Sequence, residues 1–166
     1  MTTFKETGLN NNMIQACSDL GFDFPTPIQE QTIPQLLKSD KDLIALAQTG
    51  TGKTAAFGLP IIQQTDTNLK NTQTLVLCPT RELCMQITKD MKTYSKYVNN
   101  FFVVPVYGGA SIETQINTLK NGKHVVVGTP GRVVDLINRK KLILSDIRWL
   151  VLDEADEMLS MGFKDD

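Results

Sequence analysis

Short apolar runs alternate along the chain with segments in which apolar residues recur every three or four positions. Five of the runs, Leu43–Ala47, Thr74–Cys78, Phe101–Val106, His124–Val127 and Trp149–Leu152, are rich in Val, Ile, Leu and Phe and almost free of charge. Strands covered on both faces have this composition. Between the second and third runs, Leu83, Ile87, Met91, Tyr94 and Val98 recur at helical intervals, which predicts one buried stripe. Ile112, Ile116 and Leu119 predict a shorter one. Strand–helix alternation of this kind predicts an α/β fold, a parallel sheet with helices on both faces.

The candidate chemistry lies at the carboxyl end of each run. The first leads into Ala47-Gln48-Thr49-Gly50-Thr51-Gly52-Lys53-Thr54. Glycines at these places let the backbone curl so that several N–H groups face one concavity, with the next helix starting there. Lys53 can reach outer phosphates and the Thr54 hydroxyl can ligate Mg²⁺. The phosphate-loop pattern opens with Gly where this chain has Ala47. An ordinary Gly/Thr turn is the bland alternative, and the preceding apolar run argues against it.

The second run leads into Pro79-Thr80-Arg81-Glu82-Leu83, the third into Gly108-Gly109, the fourth into Thr129-Pro130-Gly131-Arg132 and the fifth into Asp153-Glu154-Ala155-Asp156. Ligands of open parallel sheets bind outside the carboxyl ends of the strands, so all five sequences are expected along one edge. Asp153 is placed to sit beside Mg²⁺, and Glu154 to orient or deprotonate a water. Asp156, one turn on, can simply cap a helix. Thr129-Pro130 reads as an N-cap followed by proline at the first helical position, and Thr80 as the cap of the Arg81 helix. Two helix N-termini, an arginine beside each and an open Gly-Gly turn suit a phosphodiester chain.

Composition bounds these readings without choosing among them. With 166 residues, 41% of them hydrophobic, the chain is long enough for one globular domain with its own core. A net charge of −1 predicts no nucleic-acid partner from bulk charge, so such a partner must be held by a local patch or by backbone donors. Three cysteines, Cys17, Cys78 and Cys84, without metal-like spacing suit a reducing cytoplasm. No run approaches the ~18 apolar residues of a membrane span, and the polar start is no signal peptide. His124, the one histidine, reads as structural. A phosphate-loop GTPase is disfavoured by the lack of an Asn-Lys-x-Asp guanine reader.

Taken in order and spacing, Ala47–Thr54, Pro79–Leu83, Gly108-Gly109, Thr129–Arg132 and Asp153–Asp156 resemble the first RecA-like domain of DEAD-box ATP-dependent RNA helicases. The flank matches as well: Phe4, Gly21-Phe22 and Pro25-Thr26-Pro27-Ile28-Gln29 look like that family's adenine-sensing Q motif. Ala47 is usual in the family. The resemblance implies a RecA-like domain with residues 1–38 as Q-motif flank and 39–166 as phosphate-loop core. It implies ATP and Mg²⁺ as ligands, with Gln29 on the adenine edge, Phe22 stacked on the base and Thr26 supporting the pocket. Thr49, Gly50, Thr51, Gly52, Lys53 and Thr54 would cradle the phosphates, Thr54 and Asp153 would hold the metal, and Lys53, Asp153 and Glu154 would serve catalysis. RNA would be gripped along its backbone by Pro79, Thr80, Arg81, Gly108, Gly109, Thr129, Pro130, Gly131 and Arg132, without base specificity. The family's Ser-Ala-Thr strand, which lies between the phosphate-loop strand and the Asp-Glu strand, and its second RecA-like domain are not in this sequence. The chain is therefore expected to hold half of each site, with an incomplete sheet and little turnover of its own. A non-catalytic adenine-nucleotide or RNA-binding module is the alternative.

Overall fold

The structure, a computed structural model, describes residues 2–163. They gather into two compact units, one running to Thr65 and including Asp90–Asn99, the other made of Asp66–Lys89 and the chain from Asn100 onward.

The first unit is helical. Asn10 caps α1 (Asn11–Asp19) by accepting from the Met13 amide at 3.1 Å, and Met13, Ala16 and Cys17 are buried along it. Thr26 is the N-cap of α2 (Pro27–Lys38), with Pro27 at the first helical position, where its missing N–H costs nothing. The third helix, α3 (Lys53–Gln64), buries Ala55, Ala56, Leu59, Ile61 and Ile62. Gly58 faces the Tyr94 ring, which would lie in ordinary contact, 3.4 Å, with an added Cβ. The Asp19 carboxylate accepts from Lys96 and from the Tyr97 hydroxyl, and these hydrogen bonds, Lys96 first, hold its carboxyl down at about 2.

The run Leu43–Ala47, expected as a strand, is not one. It is irregular and largely exposed, Ile44 at 88% and Leu46 at 90%. Among the described residues no strand runs beside it. A strand exists only where a neighbour takes up its N–H and C=O groups, so apolar composition alone does not make one.

The second unit holds a parallel sheet of β1 (Thr74–Leu77), β2 (Val103–Val106), β3 (Val125–Gly128) and β4 (Trp149–Leu152), in the order β2-β3-β1-β4. The connecting helices are α4 (Arg81–Tyr94), α5 (Ile112–Lys120) and α6 (Pro130–Asn138), and α7 (Ala155–Ser160) comes after β4. Register places Leu75, Val104 and Val126 on one face, where they pack with Leu119, Val133 and Leu136 of α5 and α6. Val76, Val125 and Val127, of opposite parity, are also fully buried. The stripe on α4 is borne out for Ile87, Met91 and Tyr94, whereas Val98 lies beyond the helix end. A Cβ on Gly128 would overlap the Val133 side chain and lie 2.8 Å from Val106 Cγ2, so only glycine admits α6 this close to β3.

Strands β2 and β3 begin later than their apolar runs. Phe102 donates its amide to His124 Nδ1 at 3.0 Å rather than to a ladder, and Phe101 and Phe102 both stack on the imidazole. His124 is 1% exposed, and burial pushes its pKa below the usual 6.5. Because the folded state holds that proton less tightly than the unfolded chain, stability is fully present above about pH 6.5 and is lost as pH falls through the lower folded value. The urea midpoint is therefore expected to drop between pH 7 and 5. The drop should shrink in His124→Asn, whose amide oxygen can still accept from Phe102; an equal drop in both chains would assign it elsewhere.

Candidate functional site

In the first unit, Gly50 and Gly52 both take left-handed backbone, φ +80° and +90°, turning the loop so that α3 starts at Lys53. The Lys53 ammonium reaches back across the loop to donate to the Ala47 carbonyl at 3.0 Å, and Thr51 Oγ1 donates to Gln48 O at 2.7 Å. Thr26 Oγ1 donates to Thr51 O at 2.9 Å. Gln29, 3% exposed, donates from Nε2 to Gly52 O at 3.1 Å and accepts at Oε1 from the Thr26 amide at 3.0 Å. The start of α2 and the turn into α3 are thereby fastened together. The carboxamide still has one N–H and one lone pair for a planar base. Glycine suits this position twice over: at φ +90° a side chain is strained, and a Cβ would push the Gln29 carboxamide off its partners. Phe22 is half-buried, its amide tied to Cys17 O at 3.0 Å, while Phe4 is buried in the core. Thr49 is exposed and Thr54 half-buried.

In the second unit, four of the expected sequences lie along the carboxyl edge of the sheet because all four strands run parallel. The fifth, the glycine-rich loop, belongs to the first unit and is preceded by no strand. Thr80 Oγ1 accepts from the Leu83 amide at 3.2 Å and so caps α4. Thr129 occupies the N-cap of α6 without a side-chain cap bond, which leaves its hydroxyl and the first amides of that helix for a ligand. Pro79 and Pro130 are buried, and Gly131 is exposed. Gly108 and Gly109 face open space, and Gly109 has φ +76°.

The arginines are held by residues that sequence reasoning missed. Arg132 Nη1 donates to Gln115 Oε1 at 2.9 Å and Nη2 to Ala110 O at 3.1 Å. Gln115 also brackets Tyr107, donating to its carbonyl at 3.1 Å and accepting from its amide at 3.3 Å. The Arg81 guanidinium lies over the Tyr107 ring, 4.9 Å from its centroid. A signal existed: Gln115 falls on the stripe formed by Ile112, Ile116 and Leu119, a polar residue on a buried face.

At the end of β4, the Asp153 amide donates to Leu77 O at 2.9 Å, and the residue is 8% exposed. Glu154 is left-handed, φ +53° and ψ +48°, and is the N-cap of α7. Non-glycine residues pay roughly 1–2 kcal/mol for that conformation. Asp156 sits exposed in the first turn, where a negative charge suits the helix dipole. The Cys78 thiol is pushed up by its hydrogen bond with Cys84, by burial and by the nearby Asp153 and Glu154 carboxylates.

Residues 26–166 match the DEAD/DEAH box helicase family. The chain belongs to that family. Curated members agree: it is 54% identical over 165 residues to "RNA helicase CrhR" of Synechocystis, covering 99% of this chain and 33% of that protein. It is 52% identical over 168 residues to "ATP-dependent RNA helicase CshA" of Listeria monocytogenes, covering 100% and 32%. The chain thus spans about a third of the length of these helicases. Among solved structures, a DEAD box protein from Methanococcus jannaschii superposes with a TM-score of 0.94 at 41% identity, over 99% of this chain and 45% of that one. "RNA-helicase Prp28 from Chaetomium thermophilum bound to ADP" superposes with 0.89 at 40% identity, over 99% and 41%. The four-stranded parallel sheet is thus that of a DEAD-box RecA-like domain. No helix among the described residues is long and apolar enough to cross a membrane.

Proposed function

We propose that this chain is the ATP-binding half of a DEAD-box RNA helicase, which couples ATP binding and hydrolysis to sequence-independent grip and local unwinding of RNA. The observation that carries the nucleotide part is the fastening of Gln29 and Thr26 to Thr51 and Gly52. A purine edge read by Gln29 is then reported directly to the turn that would hold its phosphates. The ADP named in the Prp28 structure supports the same ligand class. In the first unit Thr54 offers a hydroxyl, a hard oxygen donor of the kind Mg²⁺ takes, and in the second Asp153 offers a carboxylate of the same hardness; a bound metal would neutralise phosphate charge. Glu154 orients or deprotonates the attacking water.

RNA is read by the carboxyl edge of the second unit: Thr80 and Arg81, the open Gly108-Gly109 turn, and Thr129 to Arg132. These groups are backbone amides, hydroxyls and guanidinium groups, suited to phosphates and 2′-hydroxyls rather than base edges. The chain by itself turns over little ATP, because phosphoryl transfer depends on cationic groups that a second RecA-like domain supplies, an arginine there being worth ~10³–10⁵ in rate.

The test is a titration of ADP against GDP, then phosphate release from ATP with and without single-stranded RNA, using Glu154→Gln as the blank. ADP should bind more tightly, with release close to the blank. Equal affinities for ADP and GDP would remove the role of Gln29, and RNA-stimulated release well above the blank would remove the half-site reading.

A further inference from the structure

The second unit contains a polar junction that no phosphate contact requires. Gln115 is 7% exposed, and a buried carboxamide is costly unless its hydrogen bonds are made. Here three are made, and they lead to two different loops. Two go to the Tyr107 backbone, at the root of the Gly108-Gly109 turn, and one comes from Arg132, the last residue of the Thr129–Arg132 sequence. Arg132 closes the ring with a second bond, to Ala110 O on the far side of the same turn. Tyr107 in turn carries Arg81 on its ring face, which brings in the loop after β1. All of these residues belong to the second unit.

Arg132 therefore spends two of its five N–H donors inside the protein and keeps three for a ligand. A free arginine side chain carries considerable rotamer freedom, which is lost when it fixes a phosphate. Held at two nitrogens, its plane is set beforehand. The Gly-Gly turn gains in the same way, since glycine is the residue with the most backbone freedom to lose.

We propose that Gln115 is a positioning residue for the RNA grip. It locks Arg132 to the Gly108-Gly109 turn and, through Tyr107, aligns Arg81, so that three loops meet the phosphodiester chain as one preformed surface. Gln115 touches no RNA itself. The inference rests on the RNA role proposed for this edge, and the test separates the two.

The experiment is fluorescence anisotropy of labelled single-stranded oligouridine on the whole 166-residue chain at several low salt concentrations, with ADP affinity and urea midpoint as controls. Gln115→Met keeps the length and removes all three hydrogen bonds. It should weaken RNA binding about 10-fold and leave ADP affinity unchanged. It should not alter the slope of log K against log salt, because no cation is removed. Arg132→Met should also weaken binding, but with the slope reduced by about 0.7, the value for one lost phosphate contact on a single strand. In the Arg132→Met background, Gln115→Met should add little.

Additive losses, or wild-type binding by Gln115→Met beside a weakened Arg132→Met, would overturn the positioning role and leave the RNA reading standing. Wild-type binding by Arg132→Met and Arg81→Met together would overturn the RNA reading itself. Hydrogen exchange in the unsubstituted chain needs no variant to fold. The Arg132 guanidinium protons and the Tyr107 amide should be protected before RNA is added, and exchange at the rate of a free side chain would also overturn the proposal.

Discussion

Lys53→Met should weaken binding of a non-hydrolysable ATP analogue by roughly 100-fold, two charge-assisted hydrogen bonds at about 1.5–3 kcal/mol each being at stake. The ammonium already spans the loop, resting on the Ala47 carbonyl at 3.0 Å. A phosphate oxygen is a stronger acceptor than that carbonyl, so nucleotide binding exchanges a weak partner for a strong one without moving the side chain far. Methionine keeps the stem and removes only the charge. The same substitution also removes the charge-assisted bond to Ala47 O, which outweighs the few tenths of a kcal/mol regained when a cation leaves the N-terminus of α3, so the ligand-free chain should lose on the order of 1 kcal/mol of stability. An affinity loss larger than that stability loss separates a ligand contact from damage to the fold. Calorimetric titration and urea unfolding read the two, and an affinity loss under about fivefold would mean Lys53 stays on Ala47.

Gly52→Ala should be the most damaging single methyl in the first unit. At φ +90° an alanine is outside the left-handed region that side chains tolerate, and its Cβ would overlap Gln29 Nε2 and sit 3.2 Å from Gln29 Cδ. Gln29 must then leave Gly52 O and the Thr26 amide. Strain of about 1–3 kcal/mol and the loss of two hydrogen bonds at about 1 kcal/mol each give an expected destabilisation of about 3–5 kcal/mol. Discrimination between ADP and GDP should vanish with it. Gly50→Ala is the control: its φ is +80°, but nothing lies within 4 Å of an added Cβ. Equal effects of the two substitutions would show that backbone strain alone matters and that the Gln29 fastening carries no weight.

Four strands and the helices between them were legible in the sequence because their signals are local. Val125, Val126 and Val127 are apolar on both faces and are buried on both faces. Pro27 and Pro130 stand where a helix begins, and one does. Leu43–Ala47 misled because strand character belongs to a pair of segments, and composition describes only one. The start of β2 misled for a similar reason: Phe101 and Phe102 are good strand residues, but the His124 ring takes the amide the ladder would need. At the candidate site, glycines, caps and the Asp153-Glu154 pair could be read from residue type and order. Gln115 showed only as a polar residue on a buried stripe; its partners, the Tyr107 backbone eight residues back and the Arg132 side chain seventeen residues on, are set by the fold and not by the local pattern.

Glu154 sits in left-handed backbone, a conformation that glycine adopts without penalty. A selection for thermal resistance alone would therefore favour Glu154→Gly, worth on the order of 1 kcal/mol. The gain would come from giving up the carboxylate that the chain keeps at this bend. Libraries screened only for heat tolerance would enrich chains that lack the carboxylate proposed for the attacking water, a loss that heat tolerance does not read.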